Sequence, residues 1–199
     1  MFGFRNKKTD CSDEELMRQI TYGNQDAFNT LYNRYSNRLL YYFYRMLGSS
    51  NEKAQDFLQD IFIKLLDKAD TFDTARKFST WIFSIAHNMC KNEYRNLENK
   101  KTTVLEYIEN TVADEAYYSQ DTISDNPEII KSFITDVFTE LDLFDEIHKS
   151  AFLMRYREGF SMKEISQMLN ISEGTVKSRL YYTKQKLSLR LSKYNPQTN

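Results

Sequence analysis

The sequence predicts an all-α protein made of two small helical domains, residues 1–98 and 127–199, joined by a flexible acidic linker over residues 99–126. Three observations carry this. Strand signals are scarce: 199 residues hold only five Gly and two Pro, and apolar side chains recur at three- and four-residue spacing over helix-length runs. That periodicity lapses between residues 99 and 126, where Thr, Asn, Asp and Glu accumulate and Ser124-Asp125-Asn126-Pro127 closes the stretch. Charge divides at similar places. Residues 1–101 carry 16 basic and 13 acidic side chains, residues 102–148 one and 12, and residues 149–199 ten and three, so a total charge of −1 conceals an acidic strip between two basic halves.

The first helix is announced by Ser12-Asp13-Glu14-Glu15, a capping-box pattern in which Ser and Glu satisfy each other's backbone amides. It includes Leu16, Met17 and Ile20 and stops near Gly23. A long helix follows from Gln25 to Leu47, with Phe28, Leu31, Tyr32, Tyr35, Leu39, Tyr42, Phe43 and Met46 at helical spacing, stopped by Gly48-Ser49-Ser50. The next helix runs from Asn51 to Ala69. Its apolar face comprises Ala54, Phe57, Leu58, Ile61, Phe62, Leu65 and Leu66, with Asp56, Gln59, Asp60 and Lys64 toward the polar side. The loop Asp70-Thr71-Phe72-Asp73-Thr74 is expected to expose one aromatic among polar residues.

Lys77 to Arg95 then interleaves aromatics, amides and basic groups on a predicted helix, the mixture with which proteins stack unpaired bases and follow a phosphate backbone. Trp81, Ile85 and Met89 at four-residue spacing are equally consistent with a core face, and both readings stay open on the residues alone. His87 and His148 show no evident partners and read as structural.

Helical pattern returns at Glu128 to Leu141, and again from Asp145 through Tyr156. Ser161-Met162-Lys163-Glu164 is a second capping box. Ile165, Met168 and Leu169 continue that helix until Asn170-Ile171-Ser172 break it, with an Asn that tolerates left-handed backbone and a Ser suited to cap a following helix. The last helix starts at Glu173. Val176, Leu180 and Leu187 fall on one face, while Lys177, Ser178, Arg179, Tyr181 and Lys184 occupy much of the rest, as on a helix lying in a DNA major groove. An ordinary helical hairpin has the same periodicity. The excess of ten basic over three acidic residues after position 148 favours a polyphosphate partner.

Cys11 and Cys90 stand alone, without zinc-site spacing or a disulfide framework. No apolar run follows the N-terminus, and none approaches the roughly 18 to 20 residues that span a bilayer. A cytoplasmic protein is expected. No catalytic triad, metal cluster or phosphate-cradling glycine loop is evident, so neither enzymatic chemistry nor a cofactor is expected.

In this order the parts resemble a bacterial RNA polymerase sigma factor of the extracytoplasmic-function (ECF) group of the sigma-70 family, over roughly Glu14 to Leu191. Asp56-Phe57-Leu58-Gln59-Asp60-Ile61-Phe62-Ile63-Lys64-Leu65 is similar to that family's core-polymerase-binding helix. Phe78-Ser79-Thr80-Trp81-Ile82-Phe83-Ser84-Ile85-Ala86-His87-Asn88 resembles its promoter-melting helix. Gly159 to Ser166 with Ser172 to Leu180 resembles its helix-turn-helix.

The resemblance implies that Asp56, Gln59 and Asp60 dock on core RNA polymerase. It implies that Phe72, Trp81 and Asn88 serve the single-stranded minus-10 element, with Phe72 and Asn88 receiving a flipped base. Lys177, Ser178, Arg179, Tyr181, Tyr182 and Lys184 then face the minus-35 element. Tyr182 stands where many relatives place an Arg, which removes a bidentate guanine reader from this chain. The implied partners are core polymerase, promoter DNA and an anti-sigma factor, which in many relatives is anchored to a membrane. A stand-alone helix-turn-helix regulator and a non-initiating interaction or decoy protein are the alternatives. Neither needs both the polar face of Asp56, Gln59 and Asp60 and the Phe78 to Arg95 segment.

Overall fold

A computed structural model describes residues 11–101 and 127–194, and among these it contains helices and no strand. The predicted linker, 99–126, falls outside the described residues except where the helix before it continues to Lys101.

Helix α1 (Asp13–Thr21) starts at Ser12, whose hydroxyl accepts the Glu15 amide at 3.2 Å, and buries Leu16, Met17 and Ile20. Gly23, at φ +79°, reverses the chain into α2 (Gln25–Met46). Seven α2 side chains from Ala27 to Met46 are buried, among them Tyr35, Tyr42 and Phe43. Helix α3 (Asn51–Asp67) is capped by Ser50 and packs on α2 through Ala54, Leu58, Ile61, Phe62 and Leu65. A 3-10 turn (Ala69–Thr71) leads toward α4 (Phe78–Lys101). The carboxylate of Glu14 accepts the Phe78 amide at 2.9 Å, so α1 caps the start of α4 from a distance. Phe43, Phe78 and Phe83 are wholly buried, each contributing roughly 1.5–3 kcal/mol of hydrophobic stabilisation.

The C-terminal helices are α5 (Pro127–Leu141), α6 (Glu146–Phe152), α7 (Met162–Leu169) and α8 (Glu173–Arg190). Where the sequence predicts one helix through Tyr156, α6 gives way to a π-helical turn over Leu153–Arg157. The wider turn is closed by the Glu158 amide bonding to the Leu153 carbonyl at 3.1 Å and the Phe160 amide to Met154 at 3.0 Å, while the Arg155 guanidinium donates to the Phe160 carbonyl. This widening carries Glu158 and Phe160 against the N-terminal helices. The capping box of α7 is complete, Asn170 takes the left-handed conformation (φ 53°, ψ 48°), and Ser172 caps α8 by accepting the Thr175 amide at 3.0 Å. The local signals for this helix-turn-helix thus match its geometry residue by residue.

The sequence leaves open how the two helix groups sit together. Here they share a continuous core. The Phe83 ring meets Phe160 edge-on at 5.2 Å, the buried hydroxyls of Tyr42 and Ser150 bond at 2.7 Å, and Arg38 pairs with Glu158 at 2.7 Å. A smaller cluster of Leu141, Leu187 and Leu191 holds α5 to α8. No described helix is long and apolar enough to cross a membrane.

Candidate nucleic-acid interface

The outer face of α3 is one of three exposed arrays. Its inner side is consumed by packing on α2, so Asp56, Gln59 and Asp60 emerge together at three- and four-residue spacing, all exposed. Two apolar side chains extend this array. Ile63 is 57% exposed and Leu66 50% exposed. Leu66 thereby departs from its expected place on the apolar face; Leu65, one residue before it, takes the buried position. Ile63 has the same register relative to Gln59 and Asp60 as they have to Asp56, a signal legible in hindsight from helical spacing.

The second array surrounds the start of α4. Phe72 is not exposed as expected from its polar neighbours: it is buried, with its ring edge-on to Trp81 at 5.1 Å and to Phe78 at 6.0 Å. The reason is geometric, because the 3-10 turn folds the loop back over the first turn of α4, where two aromatic rings provide an apolar seat. Trp81 is half-buried and Asn88 is exposed two turns further along. The structure brings Phe72 and Trp81 together, whereas Asn88 stands about 10 Å along the axis from Trp81.

Trp81, Arg76, Lys77 and Thr80 line one wall of a groove of about 750 Å³, and the opposite wall comes from α7 with Lys163, Glu164 and Gln167. The Lys77 ammonium meets the Glu164 carboxylate at 2.7 Å. That bond, with those from the Ser161 amide and hydroxyl, holds the Glu164 carboxyl down at about 2, and Lys77 is raised in return. Sequence reasoning took Glu164 only as a helix cap; its second partner lies 87 residues away in the chain.

The third array is α8. Lys177, Ser178, Tyr181, Tyr182 and Lys184 are exposed, with the two tyrosines edge to face at 5.9 Å. Arg179 is different. Its guanidinium donates to Asp145 at 3.2 Å beside the His148 ring, bracing α8 against the start of α6 rather than facing outward. Asp145 is itself the α6 cap. Burial opposes its charge, but the amide and ring of His148, followed by Arg179, outweigh burial and lower its carboxyl. His148, expected to lack a partner, therefore has one in Asp145, 2.8 Å from its Nδ1. His87 is buried with no hydrogen-bond partner on Nδ1, and burial, aided by Lys91, lowers its pKa to about 4, so it is neutral at pH 7.

Residues 31–100 match the family model for sigma-70 region 2, and residues 146–187 match that for sigma-70 region 4. Across 186 residues the chain is 31% identical to the ECF RNA polymerase sigma factor SigW of Bacillus subtilis, covering 89% of this chain and 96% of that protein. It is 27% identical over 184 residues to the ECF RNA polymerase sigma-E factor of Haemophilus influenzae, covering 87% and 92%. Among solved structures, the fold resembles CnrH in complex with the cytosolic domain of CnrY, with a TM-score of 0.66 and 23% identity over 92% of this chain and 99% of that one. It also resembles the sigma factor RpoE in complex with the anti-sigma factor NepR from Bartonella quintana, with a TM-score of 0.68 and 21% identity over 84% and 98%.

Proposed function

This chain belongs to the ECF group of the sigma-70 family of RNA polymerase sigma factors, and we propose from that premise how its three exposed arrays divide the work of initiating transcription. The outer face of α3 docks on core polymerase through Asp56, Gln59 and Asp60, with Ile63 and Leu66 adding apolar contact. Helix α8 reads the minus-35 duplex through Lys177, Ser178, Tyr181 and Tyr182, while Lys184 engages phosphate and Arg179 keeps the helix in place. The α4 array takes the opened minus-10 strand, with Trp81 over Phe72 as an aromatic platform and Asn88 reading one extruded base.

The observation that carries this assignment is that a helix-turn-helix with an exposed, basic and tyrosine-bearing second helix and an aromatic, cationic surface at the start of α4 occur on one chain, in separate helix groups. A stand-alone operator-binding regulator has no use for the second. Extracting a base costs a few kcal/mol, and stacking returns roughly 1–3 kcal/mol per base, so opening is coupled to a pocket that fits. The protein acts by binding and does no chemistry of its own, and it works in the cytoplasm, at the nucleoid when bound to polymerase. An anti-sigma factor is a fitting restraint, supported by the structural relative RpoE, solved in complex with the anti-sigma factor NepR. Reconstitution with core polymerase on a promoter library is the test. Run-off transcripts starting downstream of a common two-part motif are expected; duplex binding with no transcript would favour the operator-binding regulator.

A further inference from the structure

Both arginines of α8 are held by carboxylates elsewhere in the chain. Arg179 pairs with Asp145 at 3.2 Å and Arg190 with Glu140, while Lys186 lies over the Phe144 ring at 5.5 Å. The outward face of the helix therefore carries no guanidinium, the group best shaped to read guanine through two parallel hydrogen bonds. Its one amide, Gln185, follows Lys177 by about 12 Å along the axis, away from the N-terminal turns that meet base edges in this motif.

Those turns present a compact patch instead. Lys177 with Tyr181 and Ser178 with Tyr182 form two rows at four-residue spacing, opposite the buried row of Val176, Leu180, Thr183 and Leu187. The Ser178 hydroxyl turns back to donate to the Thr175 carbonyl at 3.0 Å, so one ammonium and two phenol rings dominate the patch. Tyr181 is 62% exposed and Tyr182 57%. Their rings meet edge to face, with centroids 5.9 Å apart and planes at 74°, and so form an open apolar corner on the outward side of the helix.

A phenol has no pair of donors to set against guanine. Its ring carbons do suit the 5-methyl group of thymine, the apolar feature that marks a T·A pair on the major-groove edge. Consecutive residues diverge by about 100° on a helix, so two neighbouring rings reach neighbouring base pairs rather than one. We propose that Tyr181 and Tyr182 make α8 a reader of thymine, their corner receiving the 5-methyl groups of thymines on adjacent base pairs, beside the pair that Lys177 contacts. Selection lies in the ring carbons; the hydroxyls stay hydrated or meet phosphate. The inference rests on the assignment of α8 to the upstream duplex and names the base that this duplex must carry.

The test uses the full chain assembled with core polymerase. Upstream duplexes are selected from random sequence by the wild type, by Lys177→Ala and by the double variant Tyr181→Ala, Tyr182→Ala, whose side chains lie outside the core. The wild type should enrich adjacent thymines. Each enriched thymine is then replaced in turn by deoxyuridine, which pairs identically and lacks only the methyl group. Binding should weaken by about three- to fourfold at each of two adjacent positions, as expected for one buried methyl-sized group. The penalty should vanish in the double Ala variant and return in Tyr181→Phe, Tyr182→Phe, which restores the rings without their hydroxyls. Equal wild-type binding to thymine and uracil duplexes would overturn the proposal, and so would a Phe variant that behaves like the Ala variant, since the hydroxyls would then be the contact. If Lys177→Ala alters the enriched sequence while uracil carries no penalty, α8 remains the reader and the thymine proposal alone fails. If all three chains enrich the same upstream sequence, the assignment of α8 to that duplex fails and the proposal with it.

Discussion

Glu164 accepts bonds from the Ser161 amide and hydroxyl within its own helix and from Lys77 across the body, at 2.9, 2.7 and 2.7 Å. Its carboxyl is held near 2 against an ordinary 4.5, so the stability it contributes is complete above about pH 4.5 and is lost as pH falls through 2. Thermal melts of wild type and Glu164→Gln should differ by a constant amount above pH 5, about 1 kcal/mol for a partly exposed network, and converge between pH 4.5 and 2. A gap independent of pH would mean that the charge is not the source. Asp56 and Asp60 should behave in the opposite way. Both are exposed, so replacing both with Ala should shift stability by less than about 0.5 kcal/mol per site while weakening association with core polymerase. Early melting with normal association would reverse that assignment.

At the scale of elements, the proposed function separates bracing by Arg179 from reading by the exposed face of α8. Lys177→Ala should relax preference at one upstream base pair by about 1–3 kcal/mol, whereas Lys184→Ala should weaken all sequences alike and lower the salt slope by about one unit. Competition binding on a set of single-pair variants distinguishes the two. For α4, Asn88→Ala on pre-melted bubble templates should lose discrimination among the four bases at one position while keeping polymerase binding; an unchanged ranking would make Asn88 structural. The helices themselves were legible because their signals are local: Ser12, Ser161 and Ser172 cap where the pattern places them, and Asn170 turns left-handed where the periodicity breaks. The exposure of Phe72 and Leu66 was misjudged, and the pairing of Arg179 with Asp145 was not foreseen, for a common reason. Whether a ring is seated, a leucine left outside or a guanidinium claimed depends on partners brought up by other turns and helices, such as Trp81 over Phe72 and Asp145 beside Arg179. The π-helical turn at Leu153–Arg157 had no sequence signal apart from the Gly159 that follows it, at φ +75°.

For the whole molecule, the division into basic and acidic stretches pointed to a nucleic-acid partner but not to how the parts meet. That meeting depends on pairs distant in sequence, Arg38 with Glu158 and Lys77 with Glu164, which no local pattern encodes. On the proposed division of labour, α4 and α8 act at two separate places on one DNA. Photo-cross-linking side chains at positions 88 and 181, each placed singly in the full chain and assembled with core polymerase on a promoter, test this most directly. Position 181 should label duplex DNA at the upstream element before and after melting, and position 88 should label the downstream element on one strand only after the duplex opens. Labelling of the same DNA segment by both positions, or labelling from position 88 on duplex that has not opened, would contradict the account.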